Sequence, residues 1–277
     1  MLLHQVALVA DTAAISFSAV SKVSAALQKQ ATRDFTPVWN VRATVDAFET
    51  LEDVPIGYWP IIIRDDIEDP NAAGYHTDDN GQPFSLVQAA NNWPLTASHE
   101  CLEMLADPFG NRTVAGAAPP QASGRAAQLE RVEYLLELCD PCESDRCAYP
   151  LNGIQLSDFI TPNFYEPPGQ TGARYSFRNH LRNPHEVADG GYLSFGDPIS
   201  NEWFQIVVEN GQAQTVSLGV LNTQGTSLRE TIDRMTRGAR PGYRVKTAAT
   251  MAAAAGTGTN RAGAARAETL RKHISQL

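Results

Sequence analysis

The sequence predicts an α/β (α+β) fold with a mixed twisted sheet, a helix carrying metal-type ligands, a β-rich C-terminal part and a separate basic tail. Three observations lead there. Strand-like and helix-like apolar runs alternate through the first hundred residues. A His-Glu-x-x-Glu string, His99 to Glu103, stands on the last of those helices. Composition then changes near Arg229, where acidic residues give way to Arg, Ala and Gly.

Gln5 to Ala10 is short and nearly all apolar, as a buried strand requires. From Ser16 to Arg33, Val20, Val23 and Leu27 recur at helical spacing, and Pro37 is expected to block continuation. Val41, Ala43, Val45 and Ala47 alternate with polar residues, the period of a half-exposed strand. Tyr58 to Arg64 reads as a third strand, Asp65 to Gln82 as loop, Pro83 to Gln88 as a short fourth strand, and Leu95 to Leu105 as a helix. Beyond Gly110 the pattern weakens. Thr113 to Gly124 resembles a linker, and Arg131 to Leu138 fits either helix or strand. Trp203 to Glu209, Asn210-Gly211 and Ala213 to Val220 form a hairpin pattern.

The chain has 277 residues, 43% of them hydrophobic, enough for one large core. No apolar run reaches the roughly 18 residues that span a bilayer. The first residues lack the basic start and apolar stretch of a signal peptide, so a cytoplasmic location is expected. From Arg229 onward ten Lys/Arg face three Asp/Glu, a net +7, whereas the preceding residues carry twelve against twenty-eight, a net −16. An acidic body argues against a nucleic-acid surface on residues 1–228. The basic residues 229–277 are expected to be a largely disordered arm, and nucleic acid is the sharper alternative partner for that arm alone. Cys139, Cys142 and Cys147 have knuckle-like spacing, but only Cys101 remains to complete a zinc knuckle, so reduced thiols are expected.

The chemistry centres on the helix. His99 and Glu103 stand at i and i+4, one above the other, so both can grip one ion. Glu100 lies about 100° round the helix, within reach of a water in the fourth coordination position. Ser98 or Thr96 is expected to cap the helix start. A zinc site needs a third protein ligand, and Glu143 is the choice, ahead of Asp140, with Asp107 and Glu137 as further candidates. His76 can touch substrate or act as a fourth ligand, against the commoner structural role of a loop histidine. Tyr149 and Tyr165 are candidates to stabilise an oxyanion, each set against a structural role in the core.

The run from Gly74 to Asn111, with Ser98-His99-Glu100-Cys101-Leu102-Glu103 and Asp107-Pro108, resembles zincin-like proteins of bacteria and phages, a branch of the zincin-like metallopeptidase superfamily. So do Glu137 to Glu143 and Gly153 to Phe164, and the likeness reaches about Gln205 but not the tail. It implies a zincin fold, zinc as cofactor, His99 and Glu103 as ligands and Glu100 as general base. A metalloprotease of this type cleaves a peptide or protein substrate, with the strand near Phe84 to Val87 expected to pair with it. Glutamate in place of the second histidine departs from the usual motif. The rival expectation is therefore an inactive zincin scaffold serving in a larger, phage-related or virion-associated assembly. A non-peptide hydrolase is the third class.

Overall fold

The computed structural model describes residues 2–70, 72–166 and 172–236. Its first sheet has the order β2-β1-β3-β5-β4, built from β1 (Leu3–Asp11), β2 (Arg42–Phe48), β3 (Trp59–Arg64), β4 (Gly74–Asp79) and β5 (Gln82–Gln88). β1, β2, β3 and β5 run parallel, and β4 is antiparallel at the edge. β1 and β3 are buried on both faces, which is why they read as continuous apolar runs. Alternate residues part to opposite sides. Val6, Leu8, Ile61 and Ile63 enter the main core, and Val9 and Ile62 enter a smaller cluster with Ile67 and Leu86. Each such side chain contributes about 1.5–3 kcal/mol by leaving water.

Two helices cover the main-core face. α1 (Phe17–Lys29) is capped by Ser16 and buries Val20, Val23 and Leu27, the predicted face. Pro37 does not end it. A π-helical turn, Gln30–Phe35, leads into α2 (Thr36–Trp39), and the helix stops only at Asn40 in the left-handed region. α3 (Trp93–Ala106) carries the His-Glu-x-x-Glu string. It starts earlier than the expected cap at Thr96 or Ser98: Asn92 precedes it and Pro94 sits in its first turn, where a missing N–H costs nothing. Asp107-Pro108 closes it.

The second sheet is wholly antiparallel, with the order β12-β11-β10-β7-β6. It contains β6 (Thr113–Gly116), β7 (Val132–Leu135), β10 (Tyr192–Gly196), β11 (Glu202–Glu209) and β12 (Gln212–Val220). Asn210-Gly211, at φ +53 and +72, turns the predicted hairpin. A small ribbon, β8 (Tyr149–Leu151) with β9 (Ile154–Leu156), packs on α3. Tyr134 of β7 faces the main core, whereas its neighbour Leu135 joins Trp203, Leu218, Leu228 and Ile232 in a separate cluster.

Further expectations change. The stretch 113–124, read as a linker, begins with strand β6. Residues 65–82 contain strand β4, whose polar Thr77, Asp78 and Asp79 hide the alternation. The strand at Phe84 to Val87 is consequently interior, and the edge is β4. The boundary placed between 228 and 229 falls inside α4 (Leu228–Thr236), where Arg229, Ile232 and Thr236 are buried. The arm expected beyond residue 236 lies outside the described residues. Among the described residues no helix is long and apolar enough to cross a membrane. All four cysteines are free and buried, and burial pushes the Cys101 thiol up to about 12.

Candidate metal centre

α3 is buried on almost every side, so its polar residues must find partners inside the protein. Two adjacent residues do so in different ways. Ser98 donates to Gln30 Oε1 (3.0 Å) and accepts from the Ser157 amide (2.9 Å). Gln30 in turn donates to the Ser157 carbonyl and to the Tyr149 hydroxyl, and Tyr149 donates to Asp34. Ser98 is thus a buried tie and not a cap. Tyr149, with its hydroxyl committed, is structural.

One residue on, His99 enters a carboxylate cluster. Its Nε2 lies 3.3 Å from Glu103 Oε1 and 2.9 Å from Asp140 Oδ1. The Asp140 contact is at ion-pair distance but off the hydrogen-bond direction, so neither Asp140 oxygen has a hydrogen-bond partner. Glu103 Oε1 also accepts the Cys139 amide at 3.1 Å. Its other oxygen, Oε2, receives the Arg229 guanidinium from α4, 126 positions along the chain. His76, on edge strand β4, points its Nδ1 at Glu100 Oε2 (3.4 Å) and Glu103 Oε2 (3.9 Å). Its Nε2 donates to the Asp107 carbonyl at 2.9 Å, which fixes the ring and turns the Nδ1 lone pair of the neutral form towards the carboxylates.

Two overlapping ligand sets result: His76, Glu100 and Glu103, and His99, Glu103 and Asp140. Arg229 separates them. A dication beside Glu103 Oε2 would sit against a guanidinium, whereas Oε1 faces away towards His99 and Asp140. The second set, one imidazole and two carboxylates, is made of donor types that zinc accepts.

The charge count points the same way. Glu100, Glu103, Asp107, Glu137 and Asp140 are all at most 3% exposed, and among the described residues Arg229 is the one permanent cation buried with them. Burial and then Asp140 push the Glu137 carboxyl well above its ordinary range. Burial opposes charge on Glu103, but Arg229 and His99 hold it well below the usual carboxylate range. Burial likewise opposes charge on His99, and the Glu103 and Asp140 carboxylates override it, raising that imidazole well above its ordinary value. Without metal, a proton on His99 does part of the work a cation would do.

Glu143, the expected third ligand, belongs to neither set. The 3-10 turn Asp140–Cys142 aims Asp140 under α3 and leaves Glu143 half-buried at the turn's end. Asp107 caps α3 instead, its Oδ2 accepting the Arg112 amide, with Oδ1 unpartnered. Glu137 is inside the cluster, both oxygens without hydrogen bonds. Arg229 was missed because it sits where composition turns basic. The amphipathic spacing of Leu228 and Ile232 was the available signal.

Tyr165 is 7% exposed and its hydroxyl has no hydrogen-bond partner. Burial, reinforced by Glu137, raises its phenol well above the ordinary range, so it remains a donor. Comparison of the chain with known protein families, with curated proteins and with solved structures gives no match.

Proposed function

We propose that the chain is a zinc-dependent hydrolase of the zincin type, with His99, Glu103 and Asp140 as the zinc ligands and a peptide as substrate. The observation that carries this reading is the buried carboxylate cluster, whose Asp140 and Glu137 oxygens lack hydrogen bonds. Five buried acidic side chains there share only Arg229 and the His99 ring as partners for their charge, a balance that a bound cation would complete. The order of strands before α3, with an antiparallel edge strand next to it, supports the same reading.

Zinc held there would supply Lewis acidity at its fourth coordination position. The remaining work falls to the chain's own residues. Glu100 accepts a proton at its carboxylate and passes it to the leaving amine. His76, its ring fixed by the Asp107 carbonyl, stands 3.4 Å from Glu100 Oε2 and orients that carboxylate when Nδ1 as well as Nε2 carries a proton. Arg229 keeps Glu103 ionised and occupies the oxygen that the ion does not use. His99 is the most exposed member of the cluster, at 8%, and marks the side from which substrate arrives.

Elemental analysis of protein purified without chelator is expected to give one zinc per chain. Glu100→Gln should retain that zinc and lose peptide hydrolysis. Absence of stoichiometric metal would sink the proposal. A second reading, an inactive scaffold in a larger assembly, is favoured by one observation: Arg229 already neutralises Glu103. Metal-bearing protein with no hydrolytic difference between native and Glu100→Gln chains would favour it.

A further inference from the structure

Outside the metal centre, one fully buried carboxylate holds an exposed ring. Asp158 Oδ2 lies 2.8 Å from His180 Nδ1, and Asp158 Oδ1 accepts the Phe159 and Arg178 amides at 2.9 and 3.0 Å. The segment is pinned from its other side as well. Residues 175–177 lie against 159–161 through the Thr161 and Phe177 amides, and Ser176 Oγ accepts the His180 amide at 2.9 Å. Asn179 makes the turn between Arg178 and His180 at φ +61. The ring is thereby fixed through Nδ1, its side chain still 34% exposed, and no hydrogen bond engages Nε2 among the described residues.

Three arginines flank that ring. Arg174, Arg178 and Arg182 are exposed, as is His180. No acidic residue occurs between Glu166 and Glu186, yet these three are a quarter of the twelve Lys/Arg in residues 1–228. Elsewhere on the surface arginines find carboxylates: Arg125 pairs with Glu202, and Arg146 with Asp189. Among the described residues no carboxylate pairs with Arg174, Arg178 or Arg182, although residues 1–228 hold twenty-eight Asp/Glu. Arg178 instead lies over the Tyr149 ring, 5.4 Å from its centre. Glu186, the next acid along the chain, spends one oxygen on the Arg182 and Asn183 amides.

We propose that the segment 174–182 binds a phosphate group, with Arg178 and His180 as its fixed donors and Arg174 and Arg182 as outer cations. A carboxylate ligand offers two oxygens and one charge. A phosphate monoester offers three oxygens and a charge of about −1.5 to −2, the better match for three guanidinium groups and a histidine. Residues 1–228 carry a net −16, so an anion is repelled over most of the surface and this turn is where it can settle. Nothing in this site depends on zinc or on hydrolysis.

The test titrates the full chain with inorganic phosphate, followed by NMR at the His180 ring and the Arg178 amide. Sodium chloride and sodium acetate at matched ionic strength are the controls. Phosphate is expected to shift both signals, and the controls to shift them little. Arg178→Gln and His180→Gln should each weaken phosphate binding about tenfold. Melting in plain buffer checks that each variant is folded. Arg182→Gln leaves the Asp158 contacts intact, serves where His180→Gln melts early, and should weaken binding about threefold. An oligothymidylate of about ten nucleotides separates the sources of the phosphate. If it moves the same signals and inorganic phosphate displaces it, the site reads a phosphodiester backbone. If it leaves them unmoved while inorganic phosphate shifts them, the ligand is a small phosphate ester. Equal shifts with acetate or chloride would overturn the proposal, as would unchanged phosphate affinity in both Arg178→Gln and His180→Gln.

Discussion

Ser98 and His99 are neighbours on one buried helix, yet they belong to opposite kinds of polar network. Around Ser98, every buried polar side chain finds a partner: Gln30, Tyr149, Asp34 and Ser157 close a continuous chain of hydrogen bonds. Around His99, Asp140 and Glu137 keep four carboxylate oxygens without one, and Asp107 keeps a fifth. The first network binds α1, α3 and the β8–β9 ribbon together and has nothing left to offer a ligand. The second is held in place at a cost to stability. That contrast separates structural polarity from functional polarity better than burial does, since both networks are equally dry.

Arg229 is the severest test of the contrast. Arg229→Met keeps the stem but leaves Glu103 buried beside an unanswered charge, so unfolding free energy should fall by about 3–5 kcal/mol in metal-free protein. Added zinc should restore part of it. A loss under about 1 kcal/mol would mean that the second network is not under electrostatic strain.

Asp140→Asn should lower zinc affinity about a thousandfold, equivalent to about 4 kcal/mol, as read by competition with a chelator. Glu143→Ala should leave that affinity within about twofold. The reverse pattern would restore Glu143 as ligand. Gln30→Ala strikes the satisfied network instead. It strands groups on Ser98, Ser157 and Tyr149, which should cost about 2–3 kcal/mol in urea unfolding, and zinc per folded chain should not change. If zinc is lost as well, the two networks are one unit and the comparison fails.

The smallest effect at neutral pH belongs to His185, which burial holds down at about 4 from the ordinary 6.5. A ring that resists protonation when folded contributes stability that is complete above pH 6.5 and lost as pH falls towards 4. His185→Asn tolerates the positive φ at this position and should flatten that acid limb. At pH 8 it should cost only the stacking on Tyr134, about 1 kcal/mol or less. Unchanged acid sensitivity would place the titration elsewhere.

Period and punctuation made the first half of the chain legible. The apolar runs at Gln5 and Tyr58, the spacing of Val20, Val23 and Leu27, and the helix through His99 all lie where the pattern puts them. β4 went unseen because its residues are polar, although Asn80-Gly81, with φ +52 and +85, announces the hairpin that joins it to β5. Asn152-Gly153 does the same for the β8–β9 ribbon. The site was half legible. His99, Glu100 and Glu103 share one helix, so local spacing brings them together. Choosing Asp140 over Glu143 required the direction of a three-residue turn, which spacing does not encode. Arg229 meets Glu103 only through tertiary packing.

That long reach has a consequence in time. A ribosome has released the helix bearing Glu103 well before it reaches Arg229, so the nascent chain carries the acidic centre without its cation. Such a chain cannot settle the centre into its final charge balance, and a product stopped anywhere short of α4 should stay inert and soft in its interior. The last described helix thus acts as a completion signal: the acidic centre reaches its charge balance only once the second sheet has been made and covered.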